Sequence, residues 1–164
     1  MIKVIVDDLA LTQADAIVRP TDESLGPISP AIASLDEKAG PRFAEQCRVA
    51  SPLKAGAAVV TGSGDLAAPL VLHVIVQDQE SKTGREIVRR ALVSAWQRAN
   101  DWELRTIATP LVGADSGQLT VEEAATLLAE TFPAAPKDFP TELRIVVDRD
   151  ADRVVVEAIV RRIS

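Results

Sequence analysis

Short β-branched runs alternate along the chain with longer stretches whose apolar residues recur at three-and-four spacing. That alternation is the signature of strands stacked into a sheet with helices covering its faces. The runs IKVIV at 2–6 and DAIV at 15–18 read as the first two strands, with Pro20 ending the second. GPISP at 26–30 is a stiff loop, because its two prolines fix φ and remove two backbone donors. A helix is predicted from about Ala31 to Cys47 with Ala31, Leu35 and Ala39 inward, broken at Gly40-Pro41. Two neighbouring strands follow at 57–61 and 70–76, joined by the turn-rich GSGDLAAP. From Thr83 to Asn100, Ile87, Ala91, Leu92, Ala95 and Trp96 line one helical stripe, leaving Arg85, Arg89, Arg90 and Arg98 toward water. The apolar run 106–112 suits a central strand buried on both faces. Thr120-x-x-Glu123 is a capping box opening a helix that ends by Pro133. Pro133, Pro136 and Pro140 form a rigid connector to a strand at 142–147, and Asp150 is placed to cap a last helix through Arg162. The order ββαββαβαβα predicts an α/β fold.

Composition narrows the class of function. The chain's 164 residues, 47% of them hydrophobic and 26% charged, suit one domain over 1–164 with a sizeable core. A net charge of −6 argues against a nucleic-acid partner held through its phosphates. A single cysteine, Cys47, can form neither an internal disulfide nor a cysteine zinc site, which fits a reducing compartment. Neither a long apolar run nor an export signal is apparent, so no membrane partner and a cytoplasmic location are expected.

The strand-loop-helix unit TIATPLVGADSGQLTVEE is the leading chemical cue, since a small-residue loop entering a helix aims free backbone amides at an anion. It lacks the Gly-Lys-Ser/Thr of a Walker loop and the three spaced glycines of a dinucleotide fingerprint. Ser51-x-x-Lys54 and Lys82-Thr83-Gly84 imitate two elements of penicillin-recognising enzymes, but the third element and the spacing are missing. Asp148, Asp150 and Asp152 alternate like calcium ligands, yet Arg153 and Ile159 occupy the positions that need glycine and glutamate. His73, the only histidine, sits in an apolar strand and reads as structural. Cys47 reads as a packed small residue near a helix end, Trp96 as core and Trp102 as a loop anchor. Few aromatics, with Phe43, Phe132 and Phe139 as apt for packing as for stacking, leave little to hold a base.

Taken together, DAIV followed by a polar tetrad, then AG, Cys-Arg, GAAVVTGSGDL, VLH and IATPLVGADSG resemble the macro domain family over almost the whole chain. The resemblance implies a three-layer α/β/α fold with a mixed central sheet, and a crevice for ADP-ribose or an ADP-ribosylated protein. It implies adenine at Asp8 and Leu9, a first phosphate loop from Gly26 to Ala31 with Gly26 and Ser29 at the ligand, and a second loop over Val112, Gly113, Ala114, Asp115, Ser116 and Gly117, with neither cofactor nor metal.

Several residues depart from the family pattern. The tetrad, Asn-Ala-Ala-Asn in type, is here Arg19-Pro20-Thr21-Asp22, and prolines replace glycines in the first loop, which therefore reads as disabled. Asp22 stands where many members carry an asparagine that touches the distal ribose or orients a water, and Asp115 stands where glycine is usual. One carboxylate about 6 Å from a phosphate costs on the order of 2–3 kcal/mol at an effective dielectric near 20, before salt screening. Each lost donor adds roughly 1 kcal/mol. A micromolar site at about −8 kcal/mol would fall to millimolar. Three functions stay open: a weakened binding module, a hydrolase of ADP-ribose adducts with Asp22 as general base, and a scaffold whose crevice is rebuilt or filled.

Overall fold

The protein is described by a computed structural model that covers residues 1–79, 84–132 and 139–163. Six strands form one sheet: β1 (Ile2–Val6), β2 (Ala16–Asp22), β3 (Ala58–Gly62), β4 (Leu70–Gln77), β5 (Thr106–Thr109) and β6 (Glu142–Val147). Their spatial order is β1-β6-β5-β2-β4-β3. All neighbours pair in parallel except β3, which runs antiparallel to β4, so the sheet is mixed as expected. The helices are α1 (Pro30–Ala39), α2 (Pro41–Gln46), α3 (Arg85–Asp101), α4 (Val121–Thr131) and α5 (Asp150–Ile163).

Side-chain alternation along the strands sorts these helices into two layers. The even-numbered Ala16, Val18, Leu72, Val74 and Val76 join Ile107, Leu143, Ile145 and Val147 under α3, α4 and α5. The opposite face carries Ile17, Val71, Ala108 and Val146 against Ile32, Leu35, Ala39 and Phe43 of α1 and α2. Parity therefore sends Arg19 and His73, paired in the β2–β4 ladder, toward α1 and α2.

Several sequence expectations shift. Strand β2 continues through Pro20 to Asp22, because the β5 ladder stops at Ile17–Ala108 and that flank needs no amide donor from Pro20. Strand β5 ends at Thr109 rather than 112, where Pro110 follows. Ile32 takes the inward position assigned to Ala31, which is exposed. Helix α1 is capped by Ser29, whose Oγ accepts the Ile32 amide at 3.3 Å, and it stops at Gly40 in the left-handed region, φ 84°. The capping box at Thr120 and Glu123 forms with both bonds present. Asp150 is the first helical residue of α5 rather than its cap, with its carboxylate 2.7 Å from Arg153 Nε. Trp102 follows α3 largely exposed and anchors no loop. Thr83, Lys82, Pro133 and Pro136 lie outside the described residues.

Candidate functional site

The carboxyl ends of β1, β6, β5 and β2 all face one edge of the sheet. There the chain leaves β2 toward the α1 layer and β5 toward the α4 layer, which opens a crevice where the two connections part. A cleft of about 810 Å³ occupies that edge. Its walls are Asp7, Asp8 and Leu9 after β1, the Ala31–Lys38 side of α1, Pro110, Leu111, Ala114 and Asp115 after β5, and the end of β6 with Asp148, Arg149 and Asp152 beyond it.

Charge in this cleft is predominantly negative, since Asp7, Asp8, Asp115, Asp148 and Asp152 face only Lys38 and Arg149. Two of the carboxylates are neutralised locally. Asp8 Oδ2 lies 2.8 Å from Lys38 Nζ and its Oδ1 accepts the Ala10 amide at 3.0 Å. Those bonds, the lysine first, hold the Asp8 carboxyl below its usual range. Asp152 meets Arg149 at 3.3 Å. Asp115 has no such partner among the described residues, and partial burial together with the like charges of Asp148 and Asp152 raises its carboxyl above the ordinary value.

The loop after β5 is folded on itself. The Ala114 amide donates to Leu111 O at 3.0 Å and the Gly117 amide to Ala114 O at 3.1 Å. Leu119 N donates to Gly113 O at 2.9 Å, and Ser116 Oγ lies 2.9 Å from Gln118 Oε1. Gly113 adopts φ 95°, and a Cβ there would come within 2.8 Å of Leu119 Cδ1. Its glycine therefore serves backbone geometry and close packing as well as any anion. Of the six loop residues singled out in the sequence, Ala114 and Asp115 line the cleft, whereas Val112, Gly113, Ser116 and Gly117 do not.

The first loop contributes less. Asp22 Oδ1 accepts the amides of Ser24 at 2.9 Å and Gly26 at 2.8 Å, while Asp22 N donates to Gly26 O at 3.2 Å. This carboxylate closes a tight turn. A Cβ on Gly26 would lie 2.9 Å from Asp22 Oδ2, so the glycine makes room for the acid. Leu25, φ 60°, is buried with Ala55 and Ile75. Asp22, Gly26 and Ser29 do not line the cleft, and Ser29 acts as the α1 cap.

Beneath this turn lies a polar network that the sequence did not disclose. Arg19 is 1% exposed, with Nε 2.8 Å from Asp36 Oδ1 and Nη2 2.6 Å from Asp36 Oδ2. Its Nη1 donates to Leu25 O at 2.9 Å and to His73 Nδ1 at 3.2 Å. The guanidinium carbon lies 5.3 Å from the Phe43 ring centre, and Phe43 stacks on His73 at 5.8 Å. Arginine only donates, so His73 Nδ1 must accept and its proton sits on Nε2, 2.7 Å from Thr61 Oγ1. Thr61 passes the chain on to Gly62 O at 2.9 Å. Burial, then the Arg19 charge, push the His73 pKa down to about 3. The histidine is structural, as its strand position suggested. Cys47, at the end of α2, is partly buried, and that burial raises its thiol. Among the described residues no cluster of three His, Cys, Asp or Glu is arranged for a metal, and no helix is long and apolar enough to cross a membrane.

Comparison with known proteins agrees with this architecture. The family profile for the macro domain matches residues 18–128, and the chain belongs to that family. Macro domain-containing protein SCO6450 of Streptomyces coelicolor is 26% identical over 153 residues, 89% of this chain and 90% of that protein. Uncharacterized protein Rv1899c of Mycobacterium tuberculosis is 25% identical over 121 residues, 74% of this chain; the match spans only 34% of that longer protein. Among solved structures, the Oceanobacillus iheyensis macrodomain with ADP superposes with TM-score 0.80 at 15% identity, covering 97% of this chain and 89% of that one. The Trypanosoma brucei macrodomain in complex with ADP gives 0.79 at 19%, covering 97% and 68%. These likenesses establish the three-layer α/β/α fold.

Proposed function

We propose that the cleft binds ADP-ribose or a related nucleotide diphosphate, with the base against Asp8 and Leu9 and the phosphates toward Ala114 and Asp115. The observation that carries this reading is the open cleft at the carboxyl ends of β1, β5 and β6, which combines an apolar floor with a carboxylate able to accept from an exocyclic amine. Membership of the macro domain family and the ADP-bound and ADPR-bound neighbours of the same fold support it. Asp115 and the internal bonds of the Ala114 and Gly117 amides support a weak site rather than a tight one. Hydrolysis has less support, because Asp22 spends one oxygen on the amides of Ser24 and Gly26 and does not line the cleft. Thermal denaturation with millimolar ADP-ribose tests the proposal. Ligand at about five times Kd adds about 1 kcal/mol, a rise of about 2–4 °C at this size. An unchanged midpoint at 10 mM, in low salt, would reject it.

A further inference from the structure

We propose that the cleft accommodates only the base-proximal part of such a ligand, so that a ribose beyond the diphosphate gains no contact and ADP binds as well as ADP-ribose. This rests on the nucleotide reading above and narrows it to adenine nucleotides that end in phosphate. Three observations carry it. The cleft runs from Asp8 to Asp115 and Asp148, and no described residue between Thr12 and Pro30 lines it. The segment that would have to enclose a second sugar is instead closed upon itself. Asp22 caps its own turn, Thr21 bridges Pro27, Leu25 is 3% exposed, and Ile28 packs against the main core. The support under that turn is fixed as well. Arg19 donates to Leu25 O while clamped by Asp36, so opening the turn would take one acceptor from a buried guanidinium.

The donor count points the same way. In the first loop Pro27 and Pro30 have no amide hydrogen, and the Gly26 amide is held by Asp22. A ribose there would have to displace these bonds without replacing them. One consequence concerns chemistry: the anomeric carbon of a distal ribose stays outside the cleft, beyond any protein group that could position a water. The chain then releases nothing from a mono-ADP-ribosylated protein.

Titration calorimetry of the full chain with ADP-ribose, ADP and AMP at low ionic strength provides the test, with Asp22→Asn as a second protein. Asparagine Oδ1 can accept the same two amides, so the turn is retained while its charge is removed. The expected result is a Kd for ADP within threefold of that for ADP-ribose, in both proteins. A preference for ADP-ribose above threefold overturns the inference. So does an Asp22→Asn change that moves ADP-ribose affinity without moving ADP equally, or release of ADP-ribose from a modified protein. Absence of binding by all three ligands would reject the nucleotide reading itself, and this inference with it.

Discussion

Lowering the pH from 7 to 5 should cost this fold about 2 kcal/mol through His73 alone. The imidazole is fully buried, and its Nδ1 accepts from an arginine that cannot yield its protons. Protonation would place an N–H against an N–H beside a fixed positive charge. With a folded pKa of about 3 and an unfolded value near 6.5, the unfolded chain takes up a proton between these limits that the native state refuses. Stability is therefore complete above pH 6.5 and declines as pH falls toward 3, with a slope of about 1.4 kcal/mol per pH unit. At pH 5 the accumulated loss is about 2 kcal/mol. Because His73 is the only histidine, no second imidazole shares the window. The carboxyl of Asp115, raised in the native state, acts in the opposite sense, and the lowered carboxyls of Asp8 and Glu142 act below it. Urea midpoints at half-unit intervals from pH 7.5 to 5 measure the slope. In His73→Gln, whose amide can still accept from Arg19 and donate to Thr61, the slope should vanish. A wild-type stability that is flat over this range, or a ring that titrates by NMR near pH 6.5 in the folded protein, would refute the account.

Asp36→Ala removes the bidentate partner of buried Arg19. Since the Asp36 side chain is 24% exposed, the expected loss is about 2–4 kcal/mol in urea unfolding, with most of it recovered when Arg19→Met is added. Gly113→Ala should cost about 1–3 kcal/mol, because it combines a strained positive φ with a Cβ too near Leu119, and the thermal midpoint checks it. Asp115→Asn takes an unpaired negative charge out of the cleft and should tighten ADP roughly fivefold in low salt, an advantage that shrinks at 0.5 M NaCl.

The architecture was readable because each element carried its own period. The stripe through Ala91, Leu92, Ala95 and Trp96, the reciprocal cap at Thr120 and Glu123, and the bounds of β6 all appear where the pattern set them. Local signals failed where a neighbour decided. Pro20 looks like a strand end in isolation, and only the early stop of the β5 ladder lets β2 run past it. Trp102 suggested an anchor, but more than half of its surface is left to solvent. Of the residues that the family resemblance pointed to, Asp8, Leu9, Ala114 and Asp115 line the cleft. Asp22 was given a chemical role by position, whereas the structure has it bonding amides at Ser24 and Gly26. The buried network of Arg19 was not legible because its partners lie on four different segments: Leu25, Asp36, Phe43 and His73. One clue was available, since side-chain parity along β2 turns the odd-numbered Arg19 toward the same buried face as Ile17. A charge on that face requires a counterion.

The most direct test of the central claim is an amide chemical-shift titration with ADP. Saturable shifts should concentrate at Asp8, Leu9, Ile32 to Lys38, Ala114, Asp115 and Asp148, with the residues from Asp22 to Ser29 unmoved. Shifts confined to the Asp22–Ser29 turn, or none anywhere at 10 mM ligand, would contradict it.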